Sequence, residues 1–167
     1  VLFSVTLSSV VHATDWLSYN ITVNKHKLHY YQAGEGEALF LLTGYATTSN
    51  FWNKSFVNCL AKEHKVYLVD YWGINTGEGV TGNSSIEGMA DDMYTLSKAL
   101  KAEHPVFAGW SMGGAVAAQI GFDHYSDGVN KVVLIAPLTM NNQPPPLSDA
   151  DADEIVEPLR TYNDVLN

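Results

Sequence analysis

Four short, unbroken apolar runs punctuate the middle of the chain: "ALFLL" (38–42), "VYLV" (66–69), "PVFA" (105–108) and "KVVLIA" (131–136). A strand covered on both faces has no polar side to show, so runs of this kind predict parallel strands inside a sheet. Between them, apolar residues recur every three or four positions. The clearest case is 84–101, where Ile86, Met89, Met93, Leu96 and Leu100 form one stripe and Ser84 with Glu87 makes a capping-box pattern. "FWNKSFVNCLAKE" and "MGGAVAAQIGFDH" read as two further helices. Ahead of all this, "LSYNITVNKHKLHYYQAGEG" predicts a hairpin turning at Asn24-Lys25 and closed by Gly34 and Gly36. The order is hairpin, then β-α-β-α-β-α-β. This predicts an α/β domain, a mostly parallel, doubly wound sheet with an N-terminal antiparallel hairpin.

The two ends break this pattern. "VLFSVTLSSVVHA" has no charged side chain and places Val11 and Ala13 at −3 and −1 of a cleavage site. It resembles the end of a secretory signal peptide and predicts export, periplasmic or secreted; read instead as a first strand, it would leave the protein cytoplasmic. The run is too short to span a bilayer. N-x-S/T sequons begin at Asn20, Asn53 and Asn83 and matter only in a eukaryotic secretory pathway. Past Pro137 come a proline run, an acidic cluster and a helix-like stretch from about Asp151. The expected division is 1–13 leader, 14–137 core, and 138–167 linker and start of a cap. Asp149, Asp151 and Asp153 are spaced like a calcium loop, but Glu154 and Arg160 occupy its glycine and glutamate positions, so that reading fails. Acids at a helix N-terminus explain them.

Composition narrows the partners. The 167 residues are 46% hydrophobic and 16% charged, the balance of a folded domain with its own core. A net charge of −9 excludes nucleic acid and anionic membrane surfaces as main partners. The one cysteine, Cys59, has no internal partner for a disulfide; its helix-like surroundings predict a buried, inert thiol.

The candidate chemistry lies in Gly109-Trp110-Ser111-Met112-Gly113, a G-x-S-x-G placed between a buried strand and a helix. In that setting the serine sits on a sharp turn that lifts its Oγ above the sheet, and Gly109 and Gly113 are needed because a Cβ would collide with neighbouring backbone. The backbone N–H of Met112 is then aimed at a developing oxyanion.

From about residue 17 to 137 the chain resembles an α/β-hydrolase-fold protein of the serine esterase and lipase branch. The resemblance rests on "LLTGYATTSNFW", "VYLVDYWGINTGEG", "GWSMGG" and "HYSDGVNKVVLIAP" in the expected order. It implies Ser111 as nucleophile, with the backbone N–H groups of Met112 and Tyr45 as the oxyanion hole. It implies acyl transfer from a small-molecule ester, thioester or amide, with no metal and no organic cofactor, and it argues against the branches that attack with a carboxylate. Two departures stand out. Thr43 replaces the usual histidine before Gly44, which puts the loop's supporting hydrogen bonds in doubt. In the segment that begins Asp70-x-x-Gly73, Asn75 and Gly77 replace the family's glycine and serine. Asp70 itself is expected to be structural.

A serine needs a base within hydrogen-bond reach. His12 is in the leader, His26 and His29 are in the hairpin, and His64 and His104 precede their strands, ~17 Å from the far edge. His124 ends the helix that starts at Ser111, a further ~17 Å away. The resemblance places the acid and the histidine after later strands, and nothing beyond Ala136 reads as one. The catalytic acid and base are therefore expected outside this chain, a piece of a longer reading frame without its C-terminal strands and inactive alone, with "KVVLIA" as an uncovered apolar edge. The oligomeric state stays open. The rival expectation is a non-catalytic homologue that uses the same pocket for binding.

Overall fold

The computed structural model describes residues 15–73, 85–129 and 131–137. Its strands are β1 (Leu17–Val23), β2 (His26–Ala33), β3 (Glu37–Leu42), β4 (His64–Asp70), β5 (Val106–Trp110) and β6 (Val132–Ile135). Its α-helices are α1 (Lys54–Leu60), α2 (Ile86–Ala99) and α3 (Met112–His124), with short 3-10 turns at Ser49–Phe51 and Tyr125–Asp127. The strands form one sheet in the order β1-β2-β4-β3-β5-β6. β1 and β2 pair antiparallel, β2 joins β4 antiparallel, and β4, β3, β5 and β6 run parallel. The hairpin turns where Asn24 and Lys25 both adopt positive φ, 48° and 70°, the backbone twist that a two-residue hairpin demands.

The period of two explains why these runs carry no polar positions. On β3, Phe40 and Leu42 point to the side covered by α2 and α3, where Met93, Leu96, Val116 and Ile120 meet them. Leu39 and Leu41 point the other way, onto Val57 and Ala61 at the α1 side. β4 divides likewise, Tyr67 and Val69 against Val66 and Leu68. Each central strand thus loses both faces to helices, which is the burial its composition calls for. The stripe read on α2 is also the packed one, with Met93 and Leu96 fully buried.

Two expectations change. The cap of α2 is Ser85, whose Oγ accepts the Gly88 N–H at 3.1 Å. Ser84 lies outside the described residues, and Glu87 falls in the first turn, where its charge suits the helix dipole. Cys59 is exposed. Val57 and Ala61, four apart, share the buried face of α1, and Cys59 between them is rotated about 200° from both. β6, with β1, is an edge strand of the described sheet, and Val132, Val133, Leu134 and Ile135 are all exposed, as the sequence led us to expect. The leader, the segment after Pro137 with its acidic cluster, and Asn83 lie outside the described residues. Among those described, no helix is long and apolar enough to cross a membrane.

Candidate active site

β5 ends at Trp110, α3 begins at Met112, and Ser111 alone makes the turn, at φ 55° and ψ −119°. L-residues with a Cβ rarely adopt this conformation, and it costs of order 1–3 kcal/mol. The tightness of the turn accounts for it. A Cβ on Gly109 would overlap the Gly113 carbonyl and come within 2.6 Å of the Gly114 nitrogen. A Cβ on Gly113 would overlap the carbonyl oxygens of Leu42 and Thr43 at the end of β3. The turn is held by the Ser111 N–H, which donates to the Ile135 carbonyl at 3.0 Å, and by the Ser111 carbonyl, which accepts the Gly114 N–H at 3.0 Å.

The loop after β3 presses against this elbow. A Cβ on Gly44 would lie 2.6 Å from Trp110 Cζ3 and 3.3 Å from Ser111 Cβ, so only glycine lets the loop come so close. Gly44 opens a turn in which its carbonyl accepts the Thr47 hydroxyl at 2.9 Å and Ala46 takes φ 54°. Thr43, the departure noted in the sequence, supplies bracing of its own. It is fully buried, its hydroxyl donates to the Thr47 carbonyl at 3.3 Å, and its carbonyl accepts the Tyr71 hydroxyl at 3.4 Å. Burial pushes the Tyr71 phenol far above its ordinary value, so it stays a donor. The Gly44 loop and the start of α3 therefore meet at Ser111, and neither the Tyr45 nor the Met112 N–H donates a hydrogen bond within the described residues. The Trp110 ring joins the loop a second time, stacked on Phe51 at 4.2 Å and 10°.

Asp70, at the end of β4, is a tie between elements. One carboxylate oxygen accepts the Ser49 N–H at 2.5 Å and the other meets His29 Nδ1 at 3.2 Å, while His29 Nε2 lies 3.0 Å from Ser18 Oγ. This Ser–His–Asp chain has the residue types of a hydrolytic triad, but its serine sits in the exposed edge strand β1, far from the elbow. Gly73 holds φ 81°, as the D-x-x-G pattern asks; Asn75 and Gly77 lie outside the described residues.

No described histidine reaches Ser111. Because β2 is antiparallel, His26 and His29 do lie at the same sheet edge as the elbow, which sequence alone did not reveal. Three strand spacings still separate β2 from β5, about 14 Å. His26 is bound to Asp92 at 2.6 Å and stacked on Trp72. His64 begins β4 at the opposite edge, His104 is exposed before β5, and His124 stacks on Tyr94 and contacts Asp127 at 3.2 Å. The Asp70 tie and the Phe51–Trp110 stack both escaped the sequence reading, since each depends on strand order rather than on spacing along the chain.

Known proteins share this arrangement. A family described as alpha/beta hydrolase fold matches residues 37–163. A pimeloyl-[acyl-carrier protein] methyl ester esterase of Vibrio atlanticus is 27% identical over 147 residues, covering 80% of this chain and 53% of the relative. A Synechocystis protein carrying a non-heme chloroperoxidase name is 26% identical over 138 residues, covering 79% of this chain and 50% of its own. Among solved structures, an AqdC variant that cleaves the ring of the Pseudomonas quinolone signal superposes with TM-score 0.72 at 19% identity, covering 86% of this chain and 57% of that one. Carboxylesterase CesB from Bacillus subtilis gives 0.65 at 21%, covering 74% and 44%. The chain spans about half the length of the curated relatives it matches. With the sheet order, the elbow and the family match in agreement, the chain belongs to the alpha/beta hydrolase fold family.

Proposed function

We propose that Ser111 is the nucleophile of a serine hydrolase that cleaves carboxylic esters, or related thioesters and amides, through an acyl-enzyme. The observation that carries this reading is the strained backbone of Ser111, at φ 55°, held between β5 and α3 with the Gly44 loop packed against it. Strain at a non-glycine residue persists only where its surroundings impose it, and it collects at sites of chemistry. In the reaction Ser111 Oγ bonds to the carbonyl carbon while a base takes its proton. The carbonyl electron pair moves onto oxygen, where the Tyr45 and Met112 N–H groups stabilise it. Collapse expels the alcohol, which receives the proton, and water repeats the sequence to release the acid.

The base and its carboxylate partner come from outside the described residues. The esterase activity of the Vibrio relative supports an ester over other acyl substrates. Export through the 1–13 segment and a cap opening at residue 138 belong to the same proposal. The second reading, a binding homologue without turnover, draws on the absence of a histidine near Ser111 among the described residues. The test separates the two: the longest reading frame containing this sequence is mixed with p-nitrophenyl acetate and its intact mass is followed. A transient acetyl adduct that disappears in Ser111→Ala supports the hydrolase. Unchanged mass with normal folding supports the binding protein.

A further inference from the structure

Two consecutive residues, Asp70 at the end of β4 and Tyr71 just after it, hold both halves of the loop that leads from β3 to α1. The Tyr71 hydroxyl donates to the Thr43 carbonyl where the loop leaves β3. The Asp70 carboxylate accepts the Ser49 N–H further along. What the loop brings to the elbow lies beside these anchors. Gly44, next to the first, packs on Trp110 and on Ser111 Cβ, and Phe51, two residues past the second, stacks on Trp110. Asp70 is 1% exposed, and its other oxygen meets His29 Nδ1 across the β2–β4 register. A carboxylate taken out of water is costly unless its oxygens are bonded, and a charged acceptor holds an amide about twice as strongly as a neutral one.

We propose that Asp70 is a positioning residue for the reaction at Ser111, holding the 43–53 loop in the placement that carries the Tyr45 N–H to the oxyanion. Three features argue for this. The stretch 43–48 belongs to no helix or strand, and Ala46 takes φ 54°, so its placement depends on outside anchors. The anchors stand on a rigid frame, because β4 lies between β2 and β3 with Val66, Tyr67 and Val69 almost wholly buried. The carboxylate is itself oriented, since His29 holds its second oxygen and lies 3.0 Å from Ser18 Oγ through Nε2. A transition-state contact is sensitive to such support: a donor displaced by about 1 Å costs on the order of a hundredfold in rate.

The proposal rests on the nucleophile reading for its effect on rate, while its effect on the loop is measured without turnover. Asp70→Ala and Asp70→Asn are made in the longest reading frame containing the sequence. Hydrolysis of p-nitrophenyl acetate is compared at a temperature where circular dichroism shows each variant folded. Amide hydrogen exchange is followed by mass spectrometry on peptides covering 43–53, with α3 as the reference. Asparagine keeps an oxygen for the Ser49 N–H and can donate to His29 Nδ1 once the ring takes its other tautomer. Asp70→Ala is expected to lower kcat about tenfold to a hundredfold with KM within about threefold, because the oxyanion contact is made only in the transition state. Exchange over 43–53 should rise about tenfold while α3 is unchanged. Asp70→Asn should return kcat to within about threefold of the unmutated protein. Unchanged kcat per folded molecule in Asp70→Ala overturns the proposal, as does an asparagine variant as slow as alanine. Should Asp70→Ala not fold, Tyr71→Phe removes only the hydroxyl at Thr43 and is expected to lower kcat about threefold to tenfold; no change overturns the proposal. Fluorophosphonate labelling of Ser111 in the unmutated chain is scored separately. Without labelling the nucleophile reading falls and exchange decides: loosening confined to 43–53 keeps the loop anchor, and unchanged or uniform exchange removes it.

Discussion

Replacing Gly109 by alanine adds one methyl group at the most crowded point of the elbow. The new Cβ overlaps the Gly113 carbonyl and approaches the Gly114 nitrogen to 2.6 Å. All of these are backbone atoms, and none is the far end of a side chain that can swing away. Relief requires α3 to move off β5, yet Gly113 is itself pinned against the carbonyls of Leu42 and Thr43. Overpacking a well-filled site costs about 1–3 kcal/mol, occasionally more; with backbone on every side, a cost of about 3 kcal/mol is expected. For a chain of this size that lowers Tm by about 6–12 °C. Gly88→Ala supplies the internal contrast. A Cβ there meets only Ser85 Oγ, at 3.5 Å, on the exposed side of α2. The change should stabilise the helix by up to about 1 kcal/mol. Both variants are compared with wild type by circular dichroism melts and urea titration. If Gly109→Ala melts within a degree or two of wild type, the elbow is not packed as described and the reasoning fails.

Other substitutions test separate parts of the account. Ser111→Gly should be more stable than Ser111→Ala by about 1–2 kcal/mol in urea, because glycine accepts the backbone conformation that alanine must strain to reach; equal stability would deny the strain. Asp70→Ala should cost about 2–4 kcal/mol by the same measurement, since it strands the buried Ser49 N–H and His29; a cost under about 1 kcal/mol would mean the tie is dispensable. Tyr71 links stability to pH. Its folded pKa is raised by burial, so above about pH 10 the unfolded chain releases the proton and the folded chain keeps it. The contribution is fully present below pH 10 and is lost above it, with a slope of up to about 1.4 kcal/mol per pH unit. Tyr71→Phe should flatten that decline in urea titrations between pH 9 and 11, and parallel curves for the two proteins would refute it.

What the sequence could reveal follows from where its information lies. The alternating faces of β3 and β4 need no alternation in composition once both are covered, so apolar runs alone located each parallel strand among the described residues. The elbow was legible because Gly109, Ser111 and Gly113 are neighbours in sequence as well as in space. Cys59 was misread because a buried thiol is the commoner case, whereas its rotation from Val57 and Ala61 on α1 decides the matter. The Phe51–Trp110 stack was invisible for another reason. Phe51 and Trp110 are brought together by the adjacency of β3 and β5 in the sheet, a pairing that no local pattern encodes. The same holds for His29 and Asp70, opposite each other in the β2–β4 register.

The central claim is that Ser111 sits on this elbow as an activated nucleophile between two oxyanion donors. It is tested most directly by a fluorophosphonate probe applied to the longest reading frame containing the sequence, with the adduct mapped by peptide mass spectrometry. The account predicts a single adduct on the peptide holding Ser111, absent from Ser111→Ala and from heat-unfolded protein. A folded protein that takes no label at Ser111, or takes it equally after unfolding, would contradict it.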